Sequence, residues 1–435
     1  MNIPFLLVIL SSTVGYVCNV SFNAVLAHNT TYALYGDFSC AWRAMSLLAA
    51  LMTYLMMLSS VRPSTVASRA KSTINLLNFR LVSFHFLLFI IVYYLILGAL
   101  HFLVFSYYLS DHLVFFVLFV LLFAPILSLC FIFNTYIQVQ GYPILQKFME
   151  STVLHGAKLM VVLVCLMAFA LDSVSDISFV IGMIMLTLLL VYALTYRLVM
   201  WHMHGAGWEN TIHISKNITN SIRESDGWLQ VSGTVITSNL IMAIAQSSGI
   251  FILALFSRIP HSVGLFNVCL LLVGLPALVT HSLQRQLTVP ITNIPLSRHK
   301  MRQLQSQLDR SSIMRFTILI ASVYIGYAYG DNLIHFFGFP VLDYKAILPL
   351  MTFNVFLYHA AYFQVTYLMT HDHKAACLSI QILWLAIMIG LGIALVDKYD
   401  IFGLVVAEVL ASLVRRFLLT RLCSRIAPIR LNLPY

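Results

Sequence analysis

Apolar residues in this chain fall in long unbroken runs separated by short polar breaks. A helix needs about 20 apolar residues to cross a bilayer. Twelve runs reach or approach that length: 3–26, 41–58, 81–107, 112–136, 153–171 and 177–198, then 229–256, 262–283, 313–336, 346–369, 375–396 and 401–419. Helices are the expected form, because every backbone N–H and C=O finds its partner inside the helix and hydrocarbon offers none. The pattern predicts an all-α polytopic membrane protein with about twelve transmembrane helices. The two longest polar stretches are 201–228 and 284–312. The first divides the runs six and six. The chain therefore reads as an N-terminal six-helix bundle over 1–200, a linker over 201–228, and a C-terminal six-helix bundle with its tail over 229–435. Duplicated bundles are a common transporter plan.

Charge orients these spans. Of 435 residues 60% are hydrophobic and 9% charged, against roughly 25% charged in soluble domains. The net charge is +10. With the N-terminus in the cytoplasm, only Arg43, Arg258, Lys345 and Lys398 of the 25 Lys and Arg residues lie on the outer side. Lys147 and Lys158, at the start of the fifth run, count among the inner cations. That asymmetry follows the positive-inside rule and places both termini in the cytoplasm. It also explains the basic balance without nucleic acid.

Several chemistries find no footing. No GxxxxGK[ST], HExxH or GxSxG motif occurs, and no paired-carboxylate cluster. The seven cysteines are scattered without CxxC spacing, so neither a disulfide framework nor a zinc site is expected. His202, His204 and His213 lack a Cys or acidic partner and read as linker. The first run has no charged n-region and reads as a retained span.

Four stretches, in order and spacing, resemble the Wzx-type polysaccharide flippases of the MOP (MATE-like) transporter superfamily. They are AVLAHNTTYALYGDFSCAWRAMSLLAALM, SVGLFNVCLLLVGLPALVTHSLQRQLTVPITNI, FGFPVLDYKAILPLMTFNVFLYHAAYFQVTYLMTHDHKAACL and IFGLVVAEVLASLVRRFLLTRL. The resemblance implies two bundles, a central cavity and alternating access. It implies an undecaprenyl-diphosphate-linked oligosaccharide as substrate, moved from the cytoplasmic to the periplasmic leaflet of a bacterial inner membrane. Membrane lipid, and polysaccharide polymerase and chain-length proteins, are the implied partners; no cofactor is implied beyond a coupling proton or sodium. Sugars and diphosphate need a polar path, and Arg suits phosphate because its planar fork bonds two oxygens at once.

Candidate substrate-binding residues follow. Arg43, near the outer end of the second span, is placed to meet the diphosphate or sugar; the alternative is snorkelling or pairing with Asp37. Asn19 and Asn23, one turn apart, line the cavity or bond neighbouring helices. Asn239 and Gln246, seven apart, share a face of the seventh span. His281 and Arg285 stack at the inner end of the eighth, and Arg258 sits at the outer mouth. Glu408 is the clearest buried acid, with Arg415 on the next face but one. Intramembrane acids are functional candidates, so Glu408, Asp331 and Asp37 are the coupling and gating candidates. Many relatives carry an acid in the region matching Gln246 to Gly249, where this chain reads AQSSG. Pro125, Pro276 and Pro349 are candidate hinges.

Two other functions remain open. A MATE-like exporter of drugs or small cations would use acids facing the cavity. A membrane-embedded glycosyltransferase or polysaccharide polymerase would need external acids or a large outer loop, and the outer connections here are short.

Overall fold

The computed structural model describes residues 3–60, 111–139, 143–171, 173–204, 226–259, 261–292, 298–339, 346–371 and 373–426. The third apolar run, 81–107, lies outside these. The described chain is helical, with no strand among the described residues. Within it, six helices are long and apolar enough to cross a membrane.

The chain divides into two compact units. The first comprises Met1–Phe22 and Ala41–Ile236; the second comprises Asn23–Cys40 and Thr237–Tyr435. The first unit contains α1 (Ile3–His28, to Phe22), α2 (Tyr32–Ser60, from Ala41), α3 (Asp111–Val139), α4 (Pro143–Phe148), α5 (Leu154–Ala168) and α6 (Val174–His204); residues 23–40, the end of α1 and the start of α2, belong to the second. Thr53 on α2 and Ser128 on α3 join hydroxyls at 3.0 Å. Such small polar pairs let two helices approach closely where lipid supplies no hydrophobic drive.

The fifth apolar run begins earlier than its hydropathy indicates. Residues Met149–Val153 form a π turn between α4 and α5, and the apolar helical segment spans Ile144–Ala168. Lys147 and Glu150 hide this onset. They pair at 3.2 Å one turn apart, and Gln146 also donates to Glu150 at 3.0 Å. Lys158 therefore lies well inside the span and not at its end. The π turn is clamped from α1: Ser11 Oγ meets Ser151 Oγ at 3.1 Å and Thr152 Oγ1 at 2.9 Å. From α6, Tyr192 donates its hydroxyl to the Met149 carbonyl at 3.2 Å. One extra residue per turn rotates everything after it by about 100°, so this turn sets which face His155 and Lys158 occupy.

The second unit contains α7 (Asp226–Phe256, from Thr237), α8 (Ser262–Leu272), α9 (Gly274–Thr292), α10 (Arg298–His335), α11 (Ile347–Ala360), α12 (Tyr362–Thr370) and α13 (Lys374–Ile426). Two predicted runs are each broken in the middle, at Val273 and at Ala361. Pro276 and Pro349 each stand third in a helix, where no N–H donor is required. They start helices here and do not bend them. Pro125 alone of the three lies inside a helix, α3.

The eleventh and twelfth runs meet at Asp400, whose backbone leaves helical geometry at φ 50°. With ψ at −132° this is not the left-handed helical region but that of the first central residue of a type II′ turn, where Gly, Asn and Asp dominate. Its carboxylate receives the hydroxyls of Ser257 and Ser262, which tie the bend to the α7–α8 turn. Residues 298–312, part of the polar stretch 284–312, form the start of α10. Leu304 and Leu308, one turn apart, are buried against Leu287, Ile291, Leu368 and Leu419. Two buried leucines on one face suffice to hold an otherwise polar helix.

Candidate functional site

Each unit holds a polar cluster inside its apolar core. In the first unit the centre is Lys158, 4% exposed. Its ammonium lies 3.8 Å from the Trp42 ring centroid and 5.8 Å from that of Phe22. A cation over an aromatic face is drawn by the ring quadrupole, by about 2 kcal/mol when desolvated. Lys158 makes no salt bridge among the described residues. Arg43 follows Trp42 on α2 and is close enough to repel Lys158. His155, one turn before Lys158, is near both Lys158 and Lys147. Its Nδ1 is buried with no hydrogen-bond partner among the described residues. Lys158, Arg43 and His155 thus lie together, while Lys147, near His155, bonds Glu150 Oε2, which also receives Gln146. A cluster of this sign is costly in a low-dielectric core and is suited to an anion. Asn19, half-buried, lies three residues before Phe22 on α1.

Sequence reasoning does not single out Lys158. The signal is present as HGAK, a His and a Lys three apart in an apolar run, but the late apparent onset of that run places Lys158 at a membrane edge.

In the second unit the last segment, α13, carries a polar face. Glu408 is buried, and its Oε2 accepts a hydrogen bond from Asn354 Nδ2 at 2.9 Å. Asn354 Oδ1 in turn accepts from Ser412 at 2.7 Å. Gly249 leaves room for the carboxylate, since a Cβ there would stand 2.9 Å from Glu408 Oε1. Arg415 is seven residues beyond Glu408, so two helical turns bring it back to the same face; it does not lie on the next face but one. Its guanidinium stacks 4.4 Å from Trp384 and 5.2 Å from Tyr358. Tyr358 also accepts from Gln246 Nε2 at 3.1 Å.

Glu408→Ala removes the acceptor of the Asn354 amide and is expected to lower stability by about 1–3 kcal/mol, the cost of an orphaned buried donor. Glu408→Gln keeps a carbonyl acceptor and is expected to lose less than about 1 kcal/mol. Thermal unfolding of the two variants measures this; equal losses would mean that the bond to Asn354 is not what Glu408 contributes.

The remaining candidates separate. Asn23 is buried and accepts from Tyr35 at 3.0 Å and, at 3.5 Å, from Asn267, which also donates to Tyr35 at 3.0 Å. This network joins 23–40 to α8. Arg258 is exposed and pairs with Asp397 at 2.6 Å, an arrangement worth little in water. Asn239, Gln246 and Asp37 are exposed, and Asp331 is half-buried. The side chains of His281 and Arg285 lie outside the described residues, as do those of His202, His204 and His213. The structure thus brings Arg43 together with Lys158, and Glu408 with Asn354; it does not bring Arg258 or Asn23 into either cluster.

No protein-family model and no curated protein matches the chain. Solved structures do. The chain is similar to a multidrug resistance MATE-family transporter of the MOP superfamily captured inward-facing, at 14% identity and a TM-score of 0.63 over 98% of this chain and 96% of that one. It is similar to a MOP-superfamily transporter from Pyrococcus furiosus, at 13% identity and 0.62 over 97% and 94%. A multidrug resistance MATE-family transporter captured outward-facing gives 13% identity and 0.63 over 98% and 96%. The chain has the fold of MATE transporters.

Proposed function

We propose that this multi-pass membrane protein is a transporter of an anionic, lipid-linked cargo: an undecaprenyl-diphosphate-linked oligosaccharide moved between leaflets by alternating access. The observation that carries this reading is Lys158, a buried ammonium held on Trp42 with Arg43 and His155 beside it. A diphosphate would set negative charge beside the Lys158 ammonium, and Arg43 could meet it in a two-pronged geometry. The resemblance of the four sequence stretches to polysaccharide flippases supports the same cargo. One similar structure, from Pyrococcus furiosus, is described by a binding pocket of reversed polarity that suggests a different function. In this reading Glu408 is the coupling group, and the membrane is the bacterial inner membrane.

The exporter of organic cations is the second reading, and the buried carboxylate of Glu408 favours it. The two cargoes carry opposite charge, so binding separates them. Trp42 is in contact with the Lys158 ammonium, and its emission reports on what binds there. Titration with a polyprenyl-diphosphate oligosaccharide is expected to shift tryptophan emission in the wild type and not in Trp42→Phe, with no shift on an organic cation. A response to the organic cation alone would favour export.

A further inference from the structure

Arg415, on α13, carries no counter-charge. It is 2% exposed and makes no ion pair among the described residues. Its Nε and Nη1 are buried with no acceptor there. Its Nη2 reaches the Met242 sulfur at 3.7 Å, and a thioether is a weak acceptor. Trp384, 4% exposed, lies against the guanidinium at 4.4 Å, and its indole Nε1 is also buried with no acceptor among the described residues. Glu408, two turns back, is engaged with Asn354. Two stacked side chains thus hold three N–H donors with nothing to bond. One water accepts from two donors and brings no charge, so it leaves the cation as costly in the core as before.

Arg415 lies one side chain beneath a water-facing surface. Asn239, Met242 and Gln246, spaced three and four apart, share a face of α7, and Asn239 and Gln246 are exposed. Exposed amides within a span face water and not lipid. Met242 and Tyr358 are half-buried and reach both levels. Tyr358 accepts from Gln246 Nε2 on one side and sets its ring 5.2 Å from the Arg415 guanidinium on the other. The Met242 sulfur meets the Tyr358 hydroxyl at 3.8 Å and Arg415 Nη2 at 3.7 Å. Methionine is unbranched and flexible, so a change of its rotamer uncovers Nη2 from the α7 face.

We propose that Arg415 and Trp384 form a binding site for a carboxylate, entered past Met242. With the sulfur displaced, Nη2 and Nε form a fork for the two oxygens, and the indole N–H supplies a further donor. A single guanidinium, with Glu408 on the same face, matches one negative charge and not the two of a phosphate. The site belongs to the second unit, whereas Lys158 belongs to the first, and it stands whichever cargo Lys158 meets. Acidic sugars and free organic acids both offer this group, so the probes must separate them.

Thermal unfolding of the purified full chain is followed at neutral pH and constant ionic strength with glucuronate, glucose, acetate or inorganic phosphate. Glucuronate is expected to raise the midpoint by several degrees over glucose, by preferential binding to the folded state. Arg415→Met is expected to lose most of that difference, and Met242→Ala, which shortens the cover, to keep it. An equal gain from acetate supports a site for any small carboxylate; a gain from glucuronate alone assigns it to an acidic sugar. A gain from phosphate as large as that from glucuronate would overturn the carboxylate assignment. No gain from either carboxylate, or an undiminished gain in Arg415→Met, would overturn the site. Should Arg415→Met not fold, tryptophan emission decides. A change on adding glucuronate that is present in the wild type and absent in Trp384→Phe supports the site, and a change that persists in Trp384→Phe overturns it.

Discussion

Lys158→Met is expected to abolish transport while leaving the fold intact. The side chain is buried, with its ammonium against the ring faces of Trp42 and Phe22. Methionine matches its length and packs on the same rings. The substitution gives up a cation–π contact of about 2 kcal/mol. It also removes a buried charge whose desolvation costs several kcal/mol. Stability should therefore stay within about 1 kcal/mol or rise. The loss of cargo contact should be large, because truncating one side of a buried charge pair costs about 2–5 kcal/mol. Transport should fall on the order of 100-fold, since each 1.4 kcal/mol is about tenfold. Thermal unfolding and flipping in proteoliposomes, read on the same preparation, check both halves. Loss of stability in parallel with loss of transport would make Lys158 a packing residue.

Gly15→Ala is the second large effect, and it acts on the fold. A Cβ at Gly15 would stand 2.5 Å from both the carbonyl carbon and the oxygen of Ser151, and 2.8 Å from its Cβ. Two of those atoms are backbone and cannot rotate aside. Either α1 must retreat or the π turn must open, and the Ser11 bonds to Ser151 and Thr152 are lost with it. Overpacking of this kind costs about 1–3 kcal/mol, occasionally more. Gly156 supplies the control. It lies on the neighbouring helix with open space within 4 Å of an added Cβ, so Gly156→Ala should stabilise by about 0.5–1 kcal/mol. Unfolding midpoints of the two variants should move in opposite directions. Equal shifts would mean that the π turn gives way easily.

The division of the chain into long helices is legible in the sequence because lipid leaves the backbone no other solution, and an unbroken apolar run shows this directly. Glu408 is legible for the same reason, as a lone acid in an apolar span. Lys158 is not, because the Lys147–Glu150 pair conceals where its helix begins and because no hydropathy pattern announces a π turn. The helical character of 298–312 escapes notice because Leu304 and Leu308, with Met301 beside them, anchor it, and so few apolar residues among polar ones leave the stretch reading as merely polar. Asn23 depends on partners in Tyr35 and Asn267, and a contact 244 residues away has no local trace. Arg415 is a matter of helical arithmetic: seven residues restore a face, and its stacking on Trp384 follows from that.

The most direct test of the anionic cargo is the sidedness of lipid-linked oligosaccharides in cells lacking this chain. Complete repeat units should accumulate on their lipid carrier facing the cytoplasm. The intact chain should relieve the accumulation, and Lys158→Met, expressed and folded to the same level, should not. Lipid-linked units distributed as in cells that carry the chain would contradict an oligosaccharide flippase.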